Sequence, residues 1–144
     1  MEDLEKNKSI VQGYLREVWN QKNPAALDRF IAPDYVRHCE AMPPPLQEIH
    51  GIEGLKQMYE MTVASFPDWD EQIEILAAEG DKVAYLSRAT ATQKGPFGPF
   101  PACGKSFEVT IIGIHRIVNG KIVETWASWD NVAWLTQLGH FPPP

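Results

Sequence analysis

The chain has 144 residues and a net charge of -6, a size that fits one domain able to bury roughly two thirds of its unfolded surface without staples. Lys and Arg are scattered with no basic stripe, so nucleic acid is not an expected partner, and no apolar run approaches a membrane span. Cys39 and Cys103 need no disulfide, and the opening MEDLEKNKSI has no secretory pattern, so a reducing cytoplasm is the expected compartment. Five Trp, four Tyr and six Phe supply flat apolar surface for a small hydrophobic molecule or a subunit interface.

Ile10, Val11, Tyr14, Leu15, Val18 and Trp19 recur at three and four, which predicts an amphipathic helix from about Leu4 to Gln21. Asn23-Pro24 then reads as N-cap and first residue of a short helix that buries Leu27, Phe30 and Ile31 and stops at Pro33. Asp34 to Cys39 predicts a short strand. Alternation places Asp34, Val36 and His38 on one face and Tyr35, Arg37 and Cys39 on the other. Three consecutive prolines make Ala41 to His50 a loop. A third helix from Gly51 carries Ile52, Leu55, Met58, Tyr59, Thr62, Val63 and Phe66 until Pro67-Asp68 stops it. Strands near Trp69 to Ala78 and Lys82 to Gln93 meet at Glu79-Gly80-Asp81, and the loop Gly95 to Gly104 presents Phe97 and Phe100 as a lid.

Ser106 to Val118 and Lys121 to Trp129 flank Asn119-Gly120, the dipeptide of a type I′ hairpin. A two-residue loop pairs positions summing to 239. That register groups Ile111, Gly113, His115, Glu124, Trp126, Ser128 and Asp130 on one face. Thr110, Ile112, Ile114, Arg116, Val123, Thr125, Ala127 and Trp129 take the other. Both faces are largely apolar, so both are expected to be covered. Val132, Leu135 and Leu138 follow at helical spacing, with Asp130 or Asn131 as N-cap and Gly139 as closure, and the Pro142 to Pro144 tail is expected to fray.

Three helices followed by antiparallel strands is an α+β order: a single domain over residues 1–144 in which a curved antiparallel sheet wraps N-terminal helices as a cone. The segments Gly51 to Gly54 (GIEG), Ser65 to Asp68 (SFPD), Gly104-Lys105, Gly120 to Asp130 and Thr136 to Gly139 (TQLG) resemble the SnoaL-like polyketide cyclases of the nuclear-transport-factor-2-like superfamily. The resemblance covers nearly the whole chain and implies a homodimer or larger assembly with a cofactor-free pocket. It also implies an acid/base Asp at the end of the strand after the Gly-Lys turn, which is Asp130. Gln93 stands where many relatives have a histidine, and Arg88-Ala89-Thr90 lacks the acid of the Arg-x-Asp element used by epoxide hydrolases of this fold.

Asp130 reads either as a helix cap or as a proton-transfer group whose carboxyl pKa an apolar wall would raise. His38 is the second catalytic candidate, against a structural role in a hydrogen bond. Tyr14, Trp19, Tyr35, Met58, Ile111, Gly113, His115, Trp126 and Ser128 are the candidate substrate wall, with His115 expected to pair with Glu124. His38 and Cys39 alternate in direction and cannot form a nucleophilic couple. No metal-ligand spacing is present and no metal is expected. The sequence thus points to a small cofactor-free enzyme that moves a proton on a hydrophobic, carbonyl-bearing substrate, by intramolecular aldol closure or a related isomerisation. The alternatives are a binding module for a hydrophobic metabolite and an interaction domain.

Overall fold

The computed structural model describes residues 3–143; the expected fraying of the tail falls partly on Pro144, outside them. The Asp3 side chain accepts from the Lys6 amide at 3.0 Å and starts α1, Leu4–Tyr14. The path continues to Asn20 as a wider π-helical turn, Leu15–Asn20. That turn brings the Trp19 indole back to Tyr14, five residues earlier, where it donates to the phenol oxygen at 3.0 Å.

The next segment departs from the sequence reading. α2 is one turn, Leu27–Phe30, and β1 begins at once, Ile31–His38. Pro33 therefore lies inside the strand, in the stretch between Ile31 and Val36 where the register with its neighbour shifts and no ladder donor is required. The proline-rich loop is not featureless either. It holds a 3₁₀ turn, Pro44–Leu46, and a short strand β2, Glu48–His50, which pairs antiparallel with β1 and buries Ile49.

α3, Ile52–Ser65, crosses the sheet, with Gly54 lying so close under Ile49 that a Cβ there would meet it at 2.7 Å. The end of α3 is tied down by the Ser-Phe-Pro-Asp segment. Phe66 is buried, Ser65 donates to the Pro96 carbonyl at 2.7 Å, and the Asp68 carboxylate takes both the Thr92 amide and hydroxyl at 2.7 Å. β3 (Asp70–Glu79), β4 (Lys82–Thr92), β5 (Ser106–Val118) and β6 (Lys121–Trp129) form an antiparallel meander, and α4, Asn131–Gln137, follows.

The sheet order is β2-β1-β6-β5-β4-β3. Its one departure from the expected antiparallel pattern is β1, which runs parallel to β6, so the α+β sheet is mixed. The reason is topological. β1 and β6 are far apart in sequence, with α3 and four strands between them, so no hairpin fixes their relative direction. The core has two parts, one under α1 and α3 around Val18, Tyr35, Leu55 and Ile122, the other around Phe66, Phe107, Ile111 and Leu138.

The β5–β6 hairpin has the expected turn, with Asn119 and Gly120 both at positive φ (52° and 78°). Val118↔Lys121 and Ile117↔Ile122 keep the predicted register. Past them, Arg116 pairs with Glu124, His115 with Thr125 and Ile111 with Trp129, because Val123 is an extra residue in a β-bulge. One inserted residue reverses every later side chain on β6. The inward row is therefore Thr125, Ala127 and Trp129 beside Ile111, Gly113 and His115, while Glu124, Trp126 and Ser128 face outward.

Candidate active site

The concave side of the sheet, closed by α1, α3 and α4, encloses a cavity of about 120 Å³. Tyr14 and Trp19 reach it from the helical N-terminus, Tyr35 and Arg37 from β1, Met58 from α3, Glu71 from β3, Tyr85 from β4, Ile111 and His115 from β5, and Thr125, Ala127 and Trp129 from β6. Phe97 from the loop and Trp134 from α4 close one end. Their rings stack edge to face at 5.7 Å, and Phe66 lies 5.5 Å from Phe97.

The carboxyl group on this wall belongs to Glu71. Its backbone is clamped at both ends by the Asn20 amide: Nδ2 donates to the Glu71 carbonyl at 2.8 Å, and Oδ1 accepts from the Glu71 amide at 2.9 Å. The π-helical turn that ends at Asn20 thus fixes the strand carrying the acid. The carboxyl accepts from the Ser87 hydroxyl at 2.5 Å and the Trp69 indole at 3.2 Å. Only 7% of Glu71 is exposed. Burial raises its pKa, and the two hydrogen bonds and the Arg37 charge only partly oppose that.

The basic groups behave differently. His115 is buried, its Nδ1 paired with the Thr125 hydroxyl at 2.7 Å and its ring stacked on Tyr85 at 5.0 Å. Burial, helped by the Arg37 charge, lowers its pKa to about 3, so it is neutral near pH 7. It does not pair with Glu124, which the bulge turns outward. Desolvation pushes the Tyr14 phenol up to about 12 and raises Tyr35 and Tyr85 as well. These three are neutral hydroxyls, suited to hydrogen bonding with a ligand oxygen.

Six of the residues read from the sequence, Tyr14, Trp19, Tyr35, Met58, Ile111 and His115, line this cavity. Gly113 is in the inner row but shows no surface to the cavity. A Cβ there would meet the Tyr85 hydroxyl at 2.4 Å, so its bare backbone is the seat of that phenol. Trp126 and Ser128 lie on the outer face, reversed by the bulge. His38 is on the outer face too, because alternation along β1 sends Tyr35 and Arg37 inward. Its Nε2 meets Glu124 at 2.7 Å and its ring stacks on Trp126 at 5.4 Å. Asp130 is exposed. Its carboxylate caps α4 by accepting from the Ala133 amide at 3.0 Å, and it does not line the cavity.

Two charged groups of the wall went unread in the sequence, Arg37 and Glu71. The signal for both was alternation. Tyr35 and Arg37 share a face by spacing, and Glu71 lies between Trp69 and Ile73 in an inward-pointing apolar row. Among the described residues no group of three or more His, Cys, Asp or Glu side chains is placed to hold a metal.

Comparison with known proteins agrees with this architecture. The family description SnoaL-like polyketide cyclase matches residues 9–138. IdmH of Streptomyces antibioticus, a proposed polyketide cyclase, is 32% identical, with 92% of this chain and 98% of that one covered and a TM-score of 0.77. A proposed polyketide cyclase of Acidithiobacillus ferrooxidans is 29% identical over 96% and 98% of the two chains, with a TM-score of 0.84. A protein of Catenulispora acidiphila with a ketosteroid isomerase-like fold is 21% identical over 90% and 92%, with a TM-score of 0.76, and shows likeness of fold alone. No curated protein matches the chain in sequence.

Proposed function

Because the chain belongs to the SnoaL-like polyketide cyclase family, we propose that it is a small cofactor-free enzyme in which Glu71 moves a proton on a hydrophobic, carbonyl-bearing substrate held in the cone. The observation that carries this reading is a carboxyl group buried among aromatic rings, with its backbone clamped and its pKa raised. A carboxylate in that setting is a stronger base than one in water, and its protonated form persists closer to neutrality. In an intramolecular aldol closure Glu71 takes a proton from a carbon between two carbonyls. The enolate carbon then attacks a further carbonyl elsewhere in the substrate, forming the ring bond, and the alkoxide that results takes the proton back from Glu71. Atoms balance within the substrate, and related isomerisations need the same two transfers. In this reading the neutral hydroxyls of the cavity-lining Tyr14 and Tyr85 donate to carbonyl oxygens.

Asp130, the acid implied by family resemblance, lies outside the cavity at a helix cap, so the proton-transfer role is proposed for Glu71. Exchange of the α-protons of 2-tetralone in D₂O, followed by NMR, is the test. Wild-type protein is expected to accelerate it, and Glu71→Gln to lose on the order of a hundredfold to ten-thousandfold, the usual contribution of a positioned acid or base. A Gln variant that exchanges as fast as wild type ends the assignment of Glu71, and a wild-type protein that does not accelerate exchange leaves the cone as a binding module for a hydrophobic metabolite.

The assembly proposed is a homodimer through the outer sheet face. Ile75, Ile112, Ile114 and Trp126 are exposed there, and cross-strand pairing puts Ile112 beside Leu86 and Ser128, and Ile114 beside Ala84 and Trp126. Thr125, which the sequence register groups with Ile112 and Ile114, is replaced on that face by Trp126 because of the bulge.

A further inference from the structure

We propose that the cone recognises a ring-bearing ligand by an anionic oxygen, a carboxylate or an equally acidic enol, seated on the guanidinium of Arg37. The proposal rests on the cone being the ligand site, and does not depend on Glu71 being the proton carrier.

Arg37 lines the cavity from the middle of the inner row of β1. Its Nη1 is buried with no hydrogen-bond partner. Three of the other arginines hold carboxylates at the surface, Arg29 with Glu17, Arg88 with Glu74 and Arg116 with Glu124, and Arg16 is exposed to water. Among the described residues Arg37 has no such ion pair. A guanidinium cannot shed its proton to escape the cost of burial. A charge held in an apolar cavity without a partner is an expense that folding alone does not explain.

The surrounding groups do not supply the missing negative charge. Tyr14 on α1, Tyr35 on β1 and Tyr85 on β4 are phenols whose protons burial retains. His115 on β5 is neutral. Glu71 on β3 is the one carboxyl of the wall; it spends its oxygens on Ser87 and Trp69, and burial favours its protonated form. What remains is a fork of N–H donors with the geometry of a carboxylate and nothing to receive it. Along the same cavity the stacked Tyr85 and His115 rings and the Phe66, Phe107 and Trp134 edges offer flat surfaces to an aromatic body. The chemical class that fits both features is a planar, ring-bearing acid.

Calorimetric titration at pH 7.5 with 2-naphthoate and with its uncharged isostere 2-naphthamide separates charge recognition from ring recognition. Wild-type protein is expected to prefer naphthoate by about tenfold or more, the scale of a charge-assisted hydrogen bond. Arg37→Met is expected to abolish the preference and leave naphthamide affinity within about threefold, as loss of the charge alone predicts. Arg37→Lys, which keeps the charge without the fork, is expected to retain a reduced preference and decides the matter if the Met variant does not fold. Glu71→Gln is expected to keep the preference intact even if it loses proton exchange, which separates this proposal from the catalytic one. Equal affinity of wild type for the two probes, binding of neither, or a preference that survives in Arg37→Met overturns it.

Discussion

His115 is 5% exposed, and its imidazole lies between the Tyr85 ring and the edge of Tyr14, 5.9 Å away. Its pKa near 3 against about 6.5 in an unfolded chain makes it a source of acid sensitivity. Between those values the unfolded state binds a proton that the native state refuses, so stability falls as pH drops from about 6.5 toward 3. Glu71 acts in the opposite sense. Its raised pKa means the native state holds a proton that the unfolded chain releases, so its contribution is lost as pH rises from the ordinary carboxylate range through the folded value. Melting temperatures from pH 4 to 8 should therefore show His115→Gln flattening the acid limb, by an amount on the order of a few kcal/mol. Glu71→Gln should flatten the alkaline limb. If the His115 variant keeps the wild-type acid slope, the buried neutral imidazole is not what the acid limb reports.

At the scale of elements, the bulge at Val123 and the cap at Asp130 decide what β6 and α4 contribute. The bulge turns Trp129 inward, where its indole donates to the Asn131 side chain at 2.8 Å, and Asn131 in turn donates to the Ala41 carbonyl at 2.6 Å. α4 is thereby fixed over the cavity, with Trp134 in its wall. Asp130 supplies the remaining constraint as N-cap. Asp130→Ala should cost about 1 kcal/mol through the lost cap, while Asp130→Asn, which can still accept from the Ala133 amide, should cost a few tenths. Both should leave proton exchange within a few fold of wild type. Thermal melts together with the exchange assay check this, and an Asn variant that is stable but has lost exchange would return the proton-transfer role to Asp130. The loop before Lys105 is held from beneath by Gln93, which is fully buried. Gln93 donates to the Gly95 and Phe100 carbonyls and accepts from Cys103 and His140. Gln93 is therefore the pin joining the loop to the C-terminal segment.

On the scale of the whole molecule, a six-stranded sheet with one face around a cavity leaves the other face to be covered or exposed. Ile112 and Ile75 are 53% and 59% exposed on that outer face, with Leu86, Ile114 and Trp126 between and beside them. A contiguous apolar patch of this kind is uncommon on a monomer, and a sheet face lends itself to a self-complementary two-fold contact. Light scattering at micromolar concentration is expected to give twice the 16.3 kDa chain mass. Ile112→Glu is expected to shift the protein to monomer with the cavity residues undisturbed. A wild-type protein that scatters as a monomer rules the interface out.

Local chemistry determined much of this protein. Periodicity placed α1, α3 and the strand pairs, the Asn-Gly dipeptide fixed the last hairpin turn, and alternation on β5 put Ile111 and His115 inward, all because they depend on neighbours a few residues away. The segments that carry the resemblance hold packing and tethering positions of this fold, Gly54, Phe66, Asp68 and Leu138. Tertiary structure alone decided the rest. Nothing local announces that Val123 is an extra residue, because a bulge is a relation between two strands. That single relation moved Trp126 and Ser128 out of the site and Thr125, Ala127 and Trp129 into it. Nor could spacing bring Glu71 and Arg37 to one cavity, since β1 and β3 lie at different places in the sheet and face each other only when it curls around the helices. The sequence recorded which residues could carry chemistry, and the closure of the cone selected those that are buried together.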